Sequence, residues 1–229
     1  MKVLKNGMFV DRVVLLTLRR REDRAEAFLK QYQELKRSGR WVFPEVEVIY
    51  GVDGGKTGSP RGRSGTDGGW GCRQTHLRAL EDALTDDVER LLVFEDDAQL
   101  TELLETNEGL MSKFLRQIPD DWGMIYLGYY HHEGLFEHVD GTSEVFEAQD
   151  ATVYNLQAYM LNRPAMSKLY RDLNSPGYAD TFAHAGEDAI DLRIDQIAKN
   201  GGLRRYLPRK CLCNQDGELG SDNPWATLE

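Results

Sequence analysis

Cysteine is scarce in this chain and does not pair by spacing. Cys72, Cys211 and Cys213 are three among 229 residues, an odd number with no C-x-x-C arrangement, which argues against a disulfide framework and against a zinc ribbon. They read as reduced thiols, and the Cys211-Leu212-Cys213 pair, without further ligands close by, reads as core or tail packing. Long apolar runs are missing too: no stretch suffices to span a bilayer, and the opening MKVLKNGMFVDR lacks the apolar core of a signal peptide. A cytoplasmic protein with no membrane span is the expectation. Positive charge is in deficit, with 28 Lys and Arg against 38 Asp and Glu for a net charge of −10. That balance disfavours broad binding to nucleic acid or anionic lipid, which draws its affinity from phosphate neutralisation by basic residues. No GxxxxGK followed by Ser or Thr occurs, and no GxGxxG follows the first strand, so neither a P-loop nor a dinucleotide fingerprint is present.

What is present is the pattern of an α/β protein. A hydrophobic fraction of 41% with 29% charged residues is ordinary for a globular domain, and the length suits one sizeable domain over residues 1–229. Strands are predicted at 12–18, 46–50, 91–94 and 123–128, with shorter pieces at 144–146 and 151–156. Helices are predicted at 22–36 and 72–84, then through Leu115, after Pro164, and from about Glu187 to Lys199. The tail reads as irregular. Residues 54–69, rich in Gly, Ser and Arg, read as a flexible loop, of the kind that is usually functional when it sits inside a compact domain. Alternating strands and helices predict a central, mostly parallel sheet flanked by helices.

The most informative stretch is Leu91-Leu92-Val93-Phe94-Glu95-Asp96-Asp97. Its apolar run is too short for a helix and reads as a strand buried on both faces. Continued alternation would place Glu95 and Asp97 on one face and Asp96 on the other. Adjacent carboxylates at the end of a sheet repel one another unless a cation or a proton relieves them, and hard oxygen ligands suit Mn2+ or Mg2+. The same residues also suit a solvated acidic turn.

Arg19, Arg20, Arg21 and Arg24 follow the first strand. They read either as a phosphate-facing cluster or as a solvated surface. An open α/β sheet binds ligand at the carboxyl ends of its strands. The arginines, Asp53 and the acidic triplet all follow strand ends, so they are expected to converge on one crevice, with arginines facing phosphate and acids facing metal.

In this order and at this spacing, RVVLLTLRRREDR, the GVDG turn, GWGCRQTHLRAL, LLVFEDDAQL and DDWGMIYLG resemble glycosyltransferase family 25, which includes lipooligosaccharide and collagen galactosyltransferases. The resemblance covers roughly residues 12–225. It implies a GT-A-like fold, a UDP-sugar or other nucleotide-sugar donor, a saccharide or other hydroxyl-bearing acceptor, and Mn2+ or Mg2+ held by the acidic motif. Carried over by position, Thr17, Arg19 and Arg24 lie beside the nucleotide, Asp53 approaches the base or ribose, Thr75 and His76 line the donor side, and Asp96 joins them. Asp97, with Glu95 or a water held by it, binds the metal. Two positions depart from the usual pattern: Thr17 stands where the family has Asn, and Thr75 where it has Ser. His131, His132, His138 and His184 are scattered and receive no role.

The segment from His184 to Asp191 sets acids at a helix start. There they serve as caps and macrodipole partners, or, as in many inverting GT-A enzymes, as the base for the acceptor hydroxyl. Asp188 is the first choice of base and Asp191, one turn on, the second. The expected reaction is metal-dependent transfer of a hexose, galactose or glucose, with inversion. Three alternatives stay open: a catalytically inert sugar-nucleotide or glycan-binding protein on the same fold, a metal-dependent phosphoester hydrolase, and transfer of the sugar to modified DNA, which the acidic balance disfavours.

Overall fold

The structure, a computed structural model, describes residues 1–3, 7–59, 66–101, 109–134, 136–142, 144–148, 150–175 and 189–216. The buried run after Arg12 forms β1 (Arg12–Thr17), with β2 (Val46–Tyr50) and β3 (Arg90–Glu95) parallel to it on either side. Because β1 and β3 are covered on both faces, their side chains divide by parity. Val13, Leu15, Leu92 and Phe94 join one core cluster, and Val14, Leu16, Leu91 and Val93 the other.

The first cluster is covered by α1 (Glu22–Arg37), which has acids in its first turn, basic residues in its last and Phe28, Tyr32 and Leu35 on its buried stripe. The Phe28 and Phe94 rings meet at 4.9 Å between centroids. The second is covered by α3 (Asp67–Thr85), which follows the single turn α2 (Gly54–Thr57) and buries Leu77 and Leu80. Thus β3 delivers its terminal acids between a helix on each side.

Beyond β3 lie the short β4 (Ala98–Leu100), α4 (Leu110–Gln117), β5 (Met124–Tyr126), β6 (Tyr130–Glu133), β7 (Glu137–His138), β8 (Val145–Glu147), β9 (Thr152–Tyr154) and β10 (Ala158–Asn162). They are followed by α5 (Arg163–Asn174), α6 (Ile190–Gly201), β11 (Arg205–Pro208) and β12 (Cys213–Gln215). Among the described residues the main sheet runs β2-β1-β3-β10-β5-β11-β8-β7. The pairings leave six of its eight strands pointing one way, with β10 and β8 reversed. The expected mostly parallel α/β sheet is therefore present, with an antiparallel strand between β3 and β5. Among the described residues no helix is long and apolar enough to cross a membrane.

The sequence expectation is corrected at β4, a strand at the start of the stretch read as helical through Leu115, at β10, a central strand not foreseen, and at three further segments. The segment at 54–69 is partly helical: α2 takes its first four residues and α3 begins at Asp67, capped by Thr66 accepting from the Gly69 amide at 3.0 Å; residues 60–65 lie outside the described ones. The local glycines serve close packing, since a Cβ on Gly71 would sit 2.5 Å from the Val52 carbonyl oxygen and 2.6 Å from the Gly54 nitrogen. The tail carries two strands, β11 and β12. The charge of β11 hides it in the sequence, because Arg205 is buried against Asp195 of α6 instead of facing water. The final helix starts at Ile190, and Glu187 and Asp188 lie outside the described residues.

Candidate active site

The carboxyl ends of β1, β2 and β3 open into a cleft of about 350 Å³. Thr17, Arg24, Asp53, Thr75, His76, Glu95, Asp96, Asp97 and Asp191, all singled out from sequence, line it together. Arg20 lines it as well, whereas Arg19 does not appear in its lining and stacks over the Tyr50 ring at 4.3 Å. The turn after β1 separates the two arginines. The Arg21 amide bonds the Leu18 carbonyl, which sends Arg19 toward β2 and leaves Arg20 to pair with Asp53 at 3.0 Å. Asp188, the first choice of base, cannot be placed because it lies outside the described residues.

The three acids occupy three different environments. Glu95 ends β3 on the α3 side and accepts from His76, with Nε2 at 2.9 Å from Oε1. His76 is itself buried, and its Nδ1 lies 2.7 Å from the Tyr159 hydroxyl. Asp96 turns to the α1 side, where Thr17 Oγ1 donates at 2.6 Å and Arg24 Nη1 at 3.1 Å. Burial pushes the Asp96 carboxyl up, while those two donors pull it down.

Asp97 lies past the end of the strand, in a turn, so the strict alternation expected for it stops at Asp96. Gln215 Nε2 donates to its Oδ2 at 3.0 Å, and Arg24 Nη1 stands 3.7 Å from the same oxygen. Oδ1 is buried without a hydrogen-bond partner among the described residues. Burial first, then the charge of Glu95, raises the Asp97 carboxyl to about 7.

This donor set fits a hard divalent cation. Asp97 Oδ1 is an orphaned acceptor beside a second carboxylate, and a cation would satisfy the one and relieve the repulsion between the two.

Opposite the acids, Asp191 stands in the first turn of α6. It accepts from the Asn155 amide at 3.2 Å and the Leu192 amide at 2.9 Å, and burial pushes its carboxyl up. Asn155 takes φ +68°, a left-handed conformation that Asn tolerates better than most residues. Its side chain donates to Gln215 Oε1 at 3.2 Å, so Asn155, Gln215 and Asp97 form a chain across the cleft. On the third wall, Thr75 Oγ1 accepts from the Val52 amide at 2.9 Å and donates to the Gly71 carbonyl at 2.8 Å, tying α3 to the turn after β2. Asn155 and Gln215 were not legible in the sequence. Neither belongs to an acidic or glycine-rich motif, and what brings Gln215 to the site is the pairing of β12 with β4.

No family model matches the chain. The resemblance seen in the motifs is borne out by curated relatives. A protein named probable inactive glycosyltransferase 25 family member 3, from Bos taurus, is 31% identical over 135 residues, which cover 53% of this chain and 22% of the relative. The inactive glycosyltransferase 25 family member 3 of Homo sapiens is 31% identical over 132 residues, covering 52% of this chain and 22% of that one. The match spans about a fifth of the length of either relative. Among solved structures, a mannose-1-phosphate geranyltransferase from Thermus thermophilus overlaps with a TM-score of 0.38 at 14% identity, over 86% of this chain and 58% of that one.

Proposed function

We propose that this cleft binds a nucleoside-diphosphate sugar and transfers its hexose, galactose or glucose, to an acceptor hydroxyl with inversion. The observation that carries the reading is the buried, unpartnered Oδ1 of Asp97 in a cleft that also presents arginines and a second carboxylate wall. Asp97 and Glu95 would hold Mn2+ or Mg2+, which supplies charge neutralisation for a leaving diphosphate.

The chain's own residues account for the rest. Arg20 at the mouth, beside Asp53, and Arg24 deeper in offer positive charge to phosphate. Asp191, held by two backbone amides, is oriented to take the proton of the acceptor hydroxyl. As that proton moves to the Asp191 carboxylate, the acceptor oxygen bonds the anomeric carbon and the bond from that carbon to the diphosphate oxygen breaks. Burial favours protonation of Asp191, which strengthens it as a base once it is ionised.

A screen of nucleotide sugars for Mn2+-dependent release of nucleoside diphosphate, with and without saccharide acceptors, tests this reading. Turnover that persists unchanged in excess chelator removes the metal from it, and release of inorganic phosphate points to a phosphoester hydrolase instead.

A second reading is favoured by the names of the two relatives, both called inactive: a sugar-nucleotide binder without turnover. Metal-dependent donor binding by calorimetry, with no product from any donor in the screen, selects it.

A further inference from the structure

We propose that Cys72, His76 and Glu95 form a second cation site in the cleft, for a borderline-soft divalent ion of the zinc type. Cys72 and His76 are four residues apart on α3 and so share a face, and Glu95 closes the group from the end of β3. One donor atom from each lies within 4.8 Å of the others. His76 Nε2 is 2.9 Å from Glu95 Oε1, and Cys72 Sγ is 4.0 Å from the same oxygen. Tetrahedral zinc, with bonds of about 2.0–2.3 Å, separates such donors by about 3.3–3.6 Å. Seating the ion therefore asks one gap to open and the other to close by about half an ångström.

Three further features support it. A thiol, an imidazole and a carboxylate form a mixed donor set, unlike the carboxylates proposed for the hard cation, and thiolate with imidazole selects zinc-like ions. The His76 ring is held from behind by the Tyr159 hydroxyl at 2.7 Å, the arrangement that fixes the orientation of metal-bound histidines. Three protein ligands leave a fourth position, and all three residues line the cleft.

The thiol is pushed well up by burial and by the carboxylates of Glu95, Asp191, Asp97 and Asp96. The field that holds its proton also draws a dication, and binding releases that proton to solvent. Glu95 serves both sites, so a zinc-type ion competes with the hard cation.

The competing account is a His76–Glu95 hydrogen bond with the thiol as bystander. Titration of the reduced full chain with Co2+, in the absence of nucleotide, decides between them. The expected result is a sulfur-to-cobalt charge-transfer band in the near ultraviolet that saturates at one equivalent and is displaced by Zn2+. Cys72→Ser should lose the band, and Cys211→Ser and Cys213→Ser should keep it. His76→Gln should weaken Co2+ binding by at least about tenfold. Absence of the band in folded wild-type protein, its persistence in Cys72→Ser, or unchanged Co2+ affinity in His76→Gln overturns the proposal. Mn2+ binding read by electron paramagnetic resonance keeps the two sites apart: Asp97→Asn should lose bound Mn2+ and retain the cobalt–sulfur band.

Discussion

Gln215 holds Asp97: its Nε2 donates to Oδ2 at 3.0 Å across a separation of 118 residues, and the Asp216 amide bonds the Asp97 carbonyl at 2.7 Å. The acidic turn at the end of β3 is thus gripped at both side chain and backbone by the strand β12 and the residue after it. Of the two Asp97 oxygens, one is fixed and the other has no hydrogen-bond partner among the described residues.

Gln215→Ala should lower Mn2+-dependent turnover and Mn2+ affinity by about 10- to 100-fold, the range found when a group supporting a metal ligand is removed. Donor affinity measured without metal should change little. Wild-type Mn2+ affinity in this variant would show that Asp97 needs no such support.

The raised Asp97 carboxyl fixes the sign of a pH effect. The folded state holds this proton up to about pH 7, whereas an unfolded aspartate releases it near pH 3.9. Between those values the folded state binds more protons, so its contribution to stability is largest at low pH and declines as pH rises to about 7. In chelator, Asp97→Asn should flatten that decline and raise stability at pH 8, by a few kcal/mol at most. Urea unfolding at pH 5 and pH 8 measures it, and a variant less stable than wild type at pH 8 contradicts the assignment.

Asp191→Asn keeps the shape of the side chain but removes its proton affinity. Turnover should fall by at least about a hundredfold with donor affinity nearly unchanged. If Asp188→Asn shows this loss and Asp191→Asn does not, the base is Asp188. A change confined to stability, of about one kcal/mol, reduces Asp191 to a helix-start residue.

Gly54→Ala places a Cβ 1.7 Å from the Asp67 carbonyl oxygen. The turn α2 must then part from α3, carrying Asp53 with it. A loss of about 1–3 kcal/mol in unfolding free energy is expected, together with weaker donor binding. Thermal denaturation and calorimetry with a nucleotide sugar test the two effects separately.

The sequence made the floor of the cleft readable and left its far wall obscure, for a physical reason. Parity in a doubly buried strand separates Glu95 from Asp96, and the two meet His76 of α3 and Arg24 of α1 respectively. The arginine and glycine motifs likewise sit just past strand ends, where local pattern and position coincide. The far wall depends on pairings between distant segments. β12 joins β4 through Cys213 and Leu100, and β10 inserts antiparallel between β3 and β5. No local period announces such neighbours, so no sequence pattern marks Gln215 or Asn155. Arg19 and Arg20 are adjacent in an arginine run, and only the turn after β1 decides which of them enters the cleft.

The position of β12 also bears on how this protein comes into being on the ribosome. The three parallel strands at whose ends the cleft opens are complete by residue 95, yet the residue that steadies Asp97 is more than a hundred positions further along the chain. A nascent chain in which the segment around residue 215 has not yet docked leaves Asp97 without its Gln215 donor. Nascent chains halted before that point should bind Mn2+ weakly even where the first strands have paired.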